Sequence, residues 1–448
     1  MHSDKMLLFY TRRMLAIFIL FTIVFTLSCK KTTITNRSDT FFKVFTGMPL
    51  YWAASGKNDY WDVQRIVADN AGNLYAVYWD STFTPGIGLS TGILKTDKFG
   101  NMIWRKAYPY FPSLNNARYD DLVCDGRWLY LLCTGAGGIV NCKLIRIDTA
   151  GNLDSTNMLS NLSLPAANQY WMNGIQLNNG QIFTSGTNRS TSSSKIKKPF
   201  VALFSASGPV IWQNYTLPAD TELIKTDHDD CYVEGMDIES DGSYICATNG
   251  DSYDPTDMVD TTKLWLYHID GASGNLLFAK PIVAGYRSNV TEINITPYFF
   301  SYVMLFTLPD KTFMVVNQKL NTKTDASVLL AIDIWKIDTG GNILDSLELS
   351  EDYSLTLGKT IKRNNGNILI SGTSTRIINS PYKSMLYEIS PDLTLLKTKE
   401  FSSPTQSISI RGIGETTDGY VIGSGLIQTA GEDKANMFIF KTDLNENF

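Results

Sequence analysis

A five-residue turn of the form Asp-x-x-Gly-Asn, set between two apolar runs, recurs along nearly the whole chain. It reads Asp97-Lys98-Phe99-Gly100-Asn101, Asp148-Thr149-Ala150-Gly151-Asn152, Asp270 to Gly274-Asn275 and Asp338 to Gly341-Asn342. Degenerate copies stand at Ser205-Ala206-Ser207-Gly208, Ser390-Pro391-Asp392 and Asp443-Leu444-Asn445. Steps of 51, 57, 65, 68, 52 and 53 residues separate the seven. A period of that size means repeated supersecondary units stacked into one architecture.

A second turn precedes each of these, at Asn70-Ala71-Gly72, Asp125-Gly126, Asn178-Asn179-Gly180, Ser240-Asp241-Gly242, Pro309-Asp310, Asn364-Asn365-Gly366 and Thr417-Asp418-Gly419. Asn-Gly and Asp-Gly let both central residues take φ > 0, which predicts tight hairpins there. After each comes a short apolar, β-branched or aromatic run such as Leu74–Tyr78 or Trp128–Leu132, and no helical period is sustained after residue 40. One unit is therefore strand, tight turn, strand, variable loop, strand, Asp-x-x-Gly-Asn turn, strand. Such a four-stranded meander has two bare faces and is marginal alone. Right-handed twist lets successive sheets pack face to face around an axis, so seven turn pairs predict an all-β, seven-bladed β-propeller over residues 41–448. The seventh unit ends without room for its outermost strand, while Phe41-Phe42-Lys43-Val44-Phe45 is an orphan at the other end. Residues 41–46 are expected to complete the last blade and remove the open ring edge.

The units resemble secreted bacterial repeat propellers of the quinoprotein-like kind, whose blades carry Asp-x-x-Gly-x-x-x-Trp turns. Trp104 and Trp212 occupy the Trp position, Phe278 replaces it once, and blades 3 and 6 lack the Asp. The resemblance implies the fold; cofactor binding does not carry over, and no cofactor is expected.

The N-terminus supplies an address. Lys5, Arg12 and Arg13 precede the apolar run Met14–Leu27, which is short of the roughly 20 residues of a spanning helix. It ends Thr26-Leu27-Ser28-Cys29, and this resembles the bacterial lipoprotein signal, with Thr26 where Leu is usual. The resemblance implies a signal peptide at 1–28, a lipidated Cys29 and an outer-membrane location in the envelope of a Gram-negative bacterium. Residues 30–40 are polar and read as a flexible tether. Beyond residue 28 the chain carries 36 Lys+Arg and 43 Asp+Glu, mildly acidic and without a basic face, which argues against a nucleic-acid partner. Five cysteines follow Cys29; Cys133 with Cys142, and Cys231 with Cys246, are two candidate pairs, the alternative being small apolar strand residues.

The repeat sorts residues before chemistry is invoked. Tight turns and Asp-x-x-Gly-Asn turns share one face, and the variable loops share the other, where propellers usually bind. His268 sits two residues before a turn Asp and is expected on an exposed strand position; His228, in an acidic loop, has no nucleophile tied to it by a motif. Asp251, Asp254, Asp257 and Asp260 form a second acidic loop of the same blade, and two such loops at one rim would offer the oxygen ligands calcium needs. Lys195, Lys197 and Lys198 project from the neighbouring blade 3 loop. Tyr51, Trp52, Tyr60, Trp61, Tyr108, Tyr110, Phe111, Tyr119, Tyr170, Trp171, Tyr298 and Phe299 cluster in or beside the blade-to-blade loops, where rings grip sugars and peptides or else fill the seams. The expected ligand-facing set is Trp61, Trp171, Tyr232, Asp229, Asp230, Asp251 and Asp254. Three functions stay open: a non-catalytic propeller binding a glycan, peptide or protein; an envelope-assembly scaffold resembling the propeller lipoproteins of outer-membrane assembly; and a carboxylate-based glycoside hydrolase or lyase.

Overall fold

A computed structural model of the chain describes residues 39–46, 63–80, 90–108, 120–133, 142–154, 157–163, 168–190, 197–215, 217, 230–254, 259–289, 303–322, 328–351, 354–375, 381–429 and 435–444. Its strands form seven four-stranded antiparallel sheets arranged as the blades of a propeller. Blade 1 holds β2 (Val63–Ala68), β3 (Leu74–Asp80), β4 (Ser90–Thr96) and β5 (Met102–Tyr108). Blade 2 holds β6 (Asp120–Cys124), β7 (Trp128–Cys133), β8 (Lys143–Asp148) and β9 (Leu153–Asp154), and blade 3 holds β10 (Asn168–Asn178), β11 (Gln181–Ser190), β12 (Lys197–Ser205) and β13 (Val210–Asn214). Blade 4 holds β14 (Asp230–Ile238), β15 (Tyr244–Asp254), β16 (Val259–Ile269) and β17 (Leu276–Asn289). Blade 5 holds β18 (Val303–Thr307), β19 (Phe313–Thr322), β20 (Val328–Ile337) and β21 (Ile343–Leu349), and blade 6 holds β22 (Ser354–Lys362), β23 (Ile368–Thr375), β24 (Lys383–Ile389) and β25 (Leu395–Phe401). Blade 7 combines β26 (Gln406–Glu415), β27 (Val421–Thr429) and β28 (Asn436–Thr442) with β1 (Phe41–Phe45), which pairs antiparallel to β28 from Phe41 opposite Lys441 to Phe45 opposite Met437. The expected strand exchange is present.

The middle strands of each blade are covered on both faces, which is why they read as unbroken apolar runs. Each of the seven seams between neighbouring blades has its own apolar cluster. Tyr75, Val77 and Ile93 of blade 1 meet Leu129, Leu131 and Ile145 of blade 2. Ile66, Leu94, Met437 and Ile439 close the ring between blades 1 and 7.

The repeated turns hold themselves together. Asp97 Oδ1 accepts from the backbone N–H of Phe99 (2.9 Å) and Asn101 (2.8 Å), and Oδ2 from the Asn101 side chain (2.8 Å). Asp148 and Asp338 grip their asparagines in the same way. The backbone pattern is a type I turn closed by a left-handed residue: Gly100 N–H donates to Asp97 O, and Asp97 N–H to Asn101 O. Five of the seven upstream turns repeat this pattern, at 69–73, 239–243, 308–312, 363–367 and 416–420. The expectation that both central residues take φ > 0 holds only at Asn179-Gly180 (φ 47° and 73°); at Gly72, Gly126, Gly242, Gly366 and Gly419 glycine alone does so. Asp69-Asn70-Ala71-Gly72-Asn73 is in fact a further full copy of the motif, with Asp69 bonded to Ala71, Asn73 and the Tyr75 hydroxyl.

Outer strands also clasp the next blade, as β5 and β13 show. Trp104 donates Nε1–H to Thr149 O (3.3 Å), and Trp212 to Gly271 O (2.9 Å), each in the next Asp-x-x-Gly turn. Two residues on, Lys106 reaches Ala150 O (2.8 Å) and Asn152, while Asn214 reaches Gly274 O (2.9 Å). In β1, Phe41 holds the register position of Trp104, since each lies opposite the residue two before its turn, and Lys43 holds that of Lys106. Lys43 accordingly donates to Asn101 at 2.5 Å, and the Phe41 ring lies beneath Gly100. The closing strand thus grips blade 1 as the outer strand of blade 1 grips blade 2.

The outer strands begin with exposed apolar residues directly after these turns: Met102-Ile103, Ile211, Leu277, Ile343-Leu344 and Leu395-Leu396.

The two candidate cysteine pairs are not formed, and the alternative of small apolar residues holds for Cys133, Cys142 and Cys246, which are buried. The described cysteines Cys124, Cys133, Cys142 and Cys246 are thiols. Cys133 packs in the seam of blades 1 and 2 and Cys142 in that of blades 2 and 3, on opposite faces of one sheet. Cys231 lies opposite Gly250, whereas Cys246 lies opposite Met236, several residues further along the same ladder. That offset exceeds the Cα separation a disulfide spans. His268 is half-buried rather than exposed: its Nε2 lies 2.7 Å from Ser243 Oγ and 3.7 Å from Glu239, and its ring meets Phe278 edge-on.

Candidate ligand-facing rim

Each blade's first strand borders the central channel, and its first residue lies at the variable-loop end. Asp230 opens β14, and Asp251 and Asp254 lie at the far end of β15, so the backbone brings all three to that end of blade 4. Asp230 is directly opposite Asp251, Tyr232 opposite Asn249, and Asp254 opposite Val259. Trp171 lies opposite Thr187, toward the same end of β10 in the adjacent blade. Trp61 and Asp229 fall outside the described residues, as do His228, Tyr51, Trp52, Tyr60, Tyr110, Phe111, Tyr119, Tyr298, Phe299, Asp257 and Lys195.

Two expectations about loops are corrected here. Residues 251–254 are strand, pairing with 259–262, and 259–262 pair in turn with 286–289. The acidic loop is thus half replaced by a ribbon whose backbone register sets Tyr253 opposite Asp260, and Asp260 opposite Ser288. The ladder wins because Thr261, Thr262 and Tyr253 are good strand residues, and the turn signals Pro255 and Asp257 sit only at the tip. Lys197 and Lys198 likewise belong to β12, opposite Arg189 and Asn188. Tyr108 is a seam residue: it is buried, and its hydroxyl donates to Gly151 O (3.2 Å) of the next blade.

The extension of blade 4 is the main asymmetry of the ring among the described residues. β15 and β16 have 11 residues each and β17 has 14, against six in each of β7 and β8. Part of the longer steps of the repeat, residues 251–254, 259–262 and 286–289, therefore projects as paired strand on the variable-loop side.

The channel wall shows a different chemistry. Asp121 pairs with Arg65 (3.2 Å) and accepts from the N–H of Leu122 (3.0 Å) and Ile175 (3.1 Å), tying blades 1, 2 and 3. Asp237 accepts from Thr307 N–H (2.7 Å) and Oγ1–H (2.8 Å) and pairs with Lys362 (3.4 Å), tying blades 4, 5 and 6. These carboxylates are held by neighbouring blades rather than by each other.

The sequence reading missed the inner-strand bulges. The ladder slips past Gln64, Asn173, Glu234 and Arg411, leaving a polar residue unmatched at a similar level in four inner strands. The available signal was a polar residue followed by glycine inside an apolar strand, as in Asn173-Gly174, Glu234-Gly235 and Arg411-Gly412. At Gly235 a Cβ would stand 2.8 Å from the backbone nitrogen of Leu305, so adjoining inner strands approach too closely for a side chain. Among the described residues no group of three or more His, Cys, Asp or Glu is placed to hold a metal ion.

No family model matches the chain, and no curated protein does. Solved structures are similar to it over most of its length. The Synechocystis apocarotenoid oxygenase is 11% identical, with 88% of this chain and 95% of that chain covered and a TM-score of 0.47. Phage phi92 endosialidase is 10% identical over 91% and 70%, with a TM-score of 0.42. Trypanosoma rangeli sialidase is 8% identical over 89% and 58%, with a TM-score of 0.38. Likeness of this grade carries nothing about chemistry.

Proposed function

We propose that the protein is a lipid-anchored, non-catalytic β-propeller that binds a glycan, peptide or protein partner on its variable-loop face, above blades 3 and 4. The observation that carries the reading is the paired extension of blade 4, which gathers Asp230, Asp251 and Asp254 at the end of the sheet next to the strand bearing Trp171. Scaffold turns cannot lengthen without breaking strand register, so added residues collect where recognition is usually built. Acids and aromatic residues at one rim would suit a hydroxyl-rich or basic ligand, rings supplying contact area and carboxylates orientation. Asp121 and Asp237 serve the scaffold in this reading, their oxygens being engaged by neighbouring blades, so neither belongs to the ligand-facing acids. The anchor is supported by the basic-then-apolar order before Ser28-Cys29.

Two experiments test the proposal. Wild type, Trp61→Ala/Trp171→Ala and Asp230→Asn/Asp251→Asn are compared on arrays of oligosaccharides and peptides, with circular dichroism as the folding control. The pairs should lose binding and keep the fold; unchanged binding, or hydrolysis of a bound oligosaccharide seen by mass spectrometry, would sink it. Separately, Cys29→Ala should move the protein from the membrane to the soluble fraction, and retention at the membrane would remove the lipid anchor.

A further inference from the structure

The geometry points to a second surface: we propose that the turn face of the propeller lies against a lipid bilayer, through the apolar residues that open its outer strands. The proposal rests on the lipid-anchor reading and deepens it.

Three observations carry it. First, Met102-Ile103, Ile343-Leu344 and Leu395-Leu396 are each 42–57% exposed, and blades 3 and 4 add one residue apiece. All follow directly on an Asp-x-x-Gly-Asn turn or its degenerate copy, so the repeat sets them at one level, around the rim of the turn face. An outer strand is a sheet edge, and edges facing water normally carry charge rather than paired large apolar residues.

Second, the chain enters the ring on that same face. Phe41 begins β1 opposite Lys441 and lies under the Gly100 turn of blade 1. Residues 30–40 span at most ~40 Å when fully extended, at roughly 3.5 Å per residue. A lipidated Cys29 would therefore keep the turn face near the bilayer and hold the apolar rim at high effective concentration there.

Third, acids of this face in blades 1, 2, 5, 6 and 7 are compensated, and among the described residues only blade 4 sets like charges together there, Asp270 beside Asp241. Lys43 neighbours Asp97, Lys106 neighbours Asp148 and Lys280 neighbours Asp338. Lys336 pairs with Asp310 (2.8 Å) and Asp392 (3.4 Å), and Lys441 with Asp418 (3.3 Å). Such a face does not present the dense negative charge that an anionic leaflet would repel, and its apolar rim supplies the area that interfacial binding scales with. The variable-loop rim then points away from the membrane, toward ligands.

The test uses full-length lipidated protein in vesicles of phosphatidylethanolamine and phosphatidylglycerol. An environment-sensitive fluorophore is attached at Leu344→Cys on the turn face or at Asp254→Cys on the other, and the unsubstituted protein gives the labelling background. The probe at 344 should emit to the blue and lose about half its intensity with brominated acyl chains, as a residue seated in the interface would; the probe at 254 should do neither. Met102→Asp, Ile343→Asp and Leu395→Asp together should return the 344 probe to a water-like signal while the protein still floats with the vesicles. A 344 probe in water on floating wild-type protein overturns the proposal, as does a blue shift without bromine quenching, which would mean that protein covers the rim. Protein that does not float overturns the anchor and this proposal with it.

Discussion

Ring closure can be tested at one atom pair. Gly100 has φ +75°, and a Cβ added there would stand 2.4 Å from Cε2 of Phe41, the first residue of the closing strand. Gly180 has φ +73° with nothing within 4 Å of the same position, so it isolates the backbone cost. Gly180→Ala should lose about 1–2 kcal/mol, the cost of placing a side chain in the left-handed region. Gly100→Ala should lose that and a further ~1–3 kcal/mol for displacing a packed ring. Phe41→Ala removes a half-buried ring and should lose roughly 1–3 kcal/mol, below the range for a fully buried Phe. In the double variant there is no ring left to displace, so the losses should fall short of additivity by ~1–3 kcal/mol, the usual coupling of residues in contact. Urea unfolding of the four proteins, followed by tryptophan fluorescence, reads the cycle through the midpoints at constant m. Additivity within about 0.5 kcal/mol would refute the placement of Phe41 under the blade 1 turn, and with it the clasp that seals the ring.

Lys311 (φ 65°) and Leu393 (φ 58°) fill the position that glycine holds in other turns. Lys311 is exposed, so Lys311→Gly should raise stability by about 1 kcal/mol, whereas Leu393→Gly should lower it because Leu393 packs in the seam of blades 5 and 6; paired thermal melts distinguish the signs. Arg363 binds Glu388 (2.6 Å) and Glu415 (2.9 Å), both nearly buried, so Arg363→Ala should lose ~3–5 kcal/mol and Arg363→Ala/Glu388→Gln distinctly less, as measured by denaturant midpoints. Acid should destabilise the ring through its turns. Burial works against the Asp97, Asp148 and Asp310 carboxylates, but their hydrogen bonds and lysine neighbours outweigh it, lowering all three, Asp310 to about 2. Groups with depressed folded pKa stabilise above the unfolded value of about 3.9 and lose that contribution as pH falls through the folded one. The melting temperature should therefore fall between about pH 4 and pH 2, and Asp310→Asn should flatten that fall; an unchanged slope would remove Asp310 from the account.

Blade number and strand exchange were legible because both rest on local chemistry. An Asp that caps its own turn and a glycine at φ > 0 act within five residues, and an orphan strand can be seen as a shortfall in the count. Turn type was misread at Asp241-Gly242, Asn365-Gly366 and Asp418-Gly419, where the residue before glycine keeps φ negative. A dipeptide does not specify turn length; the bond that the first residue's N–H donates to the fifth residue's carbonyl does. The fates of Asp251–Asp254, His268 and the cysteines depend on which strand lies alongside, and that is a non-local property. Lysine two residues after the Trp position, at Lys43, Lys106, Lys280 and Lys399, was visible as a repeat, yet its meaning needed the neighbouring blade. The rim residues Trp171 and Asp230 gained only a backbone position, because side-chain recognition lies beyond periodicity.

Pairing β1 with β28 joins positions about 400 residues apart, whereas six of the blades complete themselves within one meander. During synthesis those six need only the stretch of chain that has just emerged. The seventh must wait, and Phe41 to Phe45 then remain a bare hydrophobic strand from the first moments of translation to the last. Assembly of this protein is thus a race between the return of its own far end and capture of β1 by any other open edge. A chain crossing a membrane before folding meets the same interval on the far side. The final ladder therefore sets how long the nascent protein needs protection, and its loss would be felt first as poor yield rather than as a weakened ring.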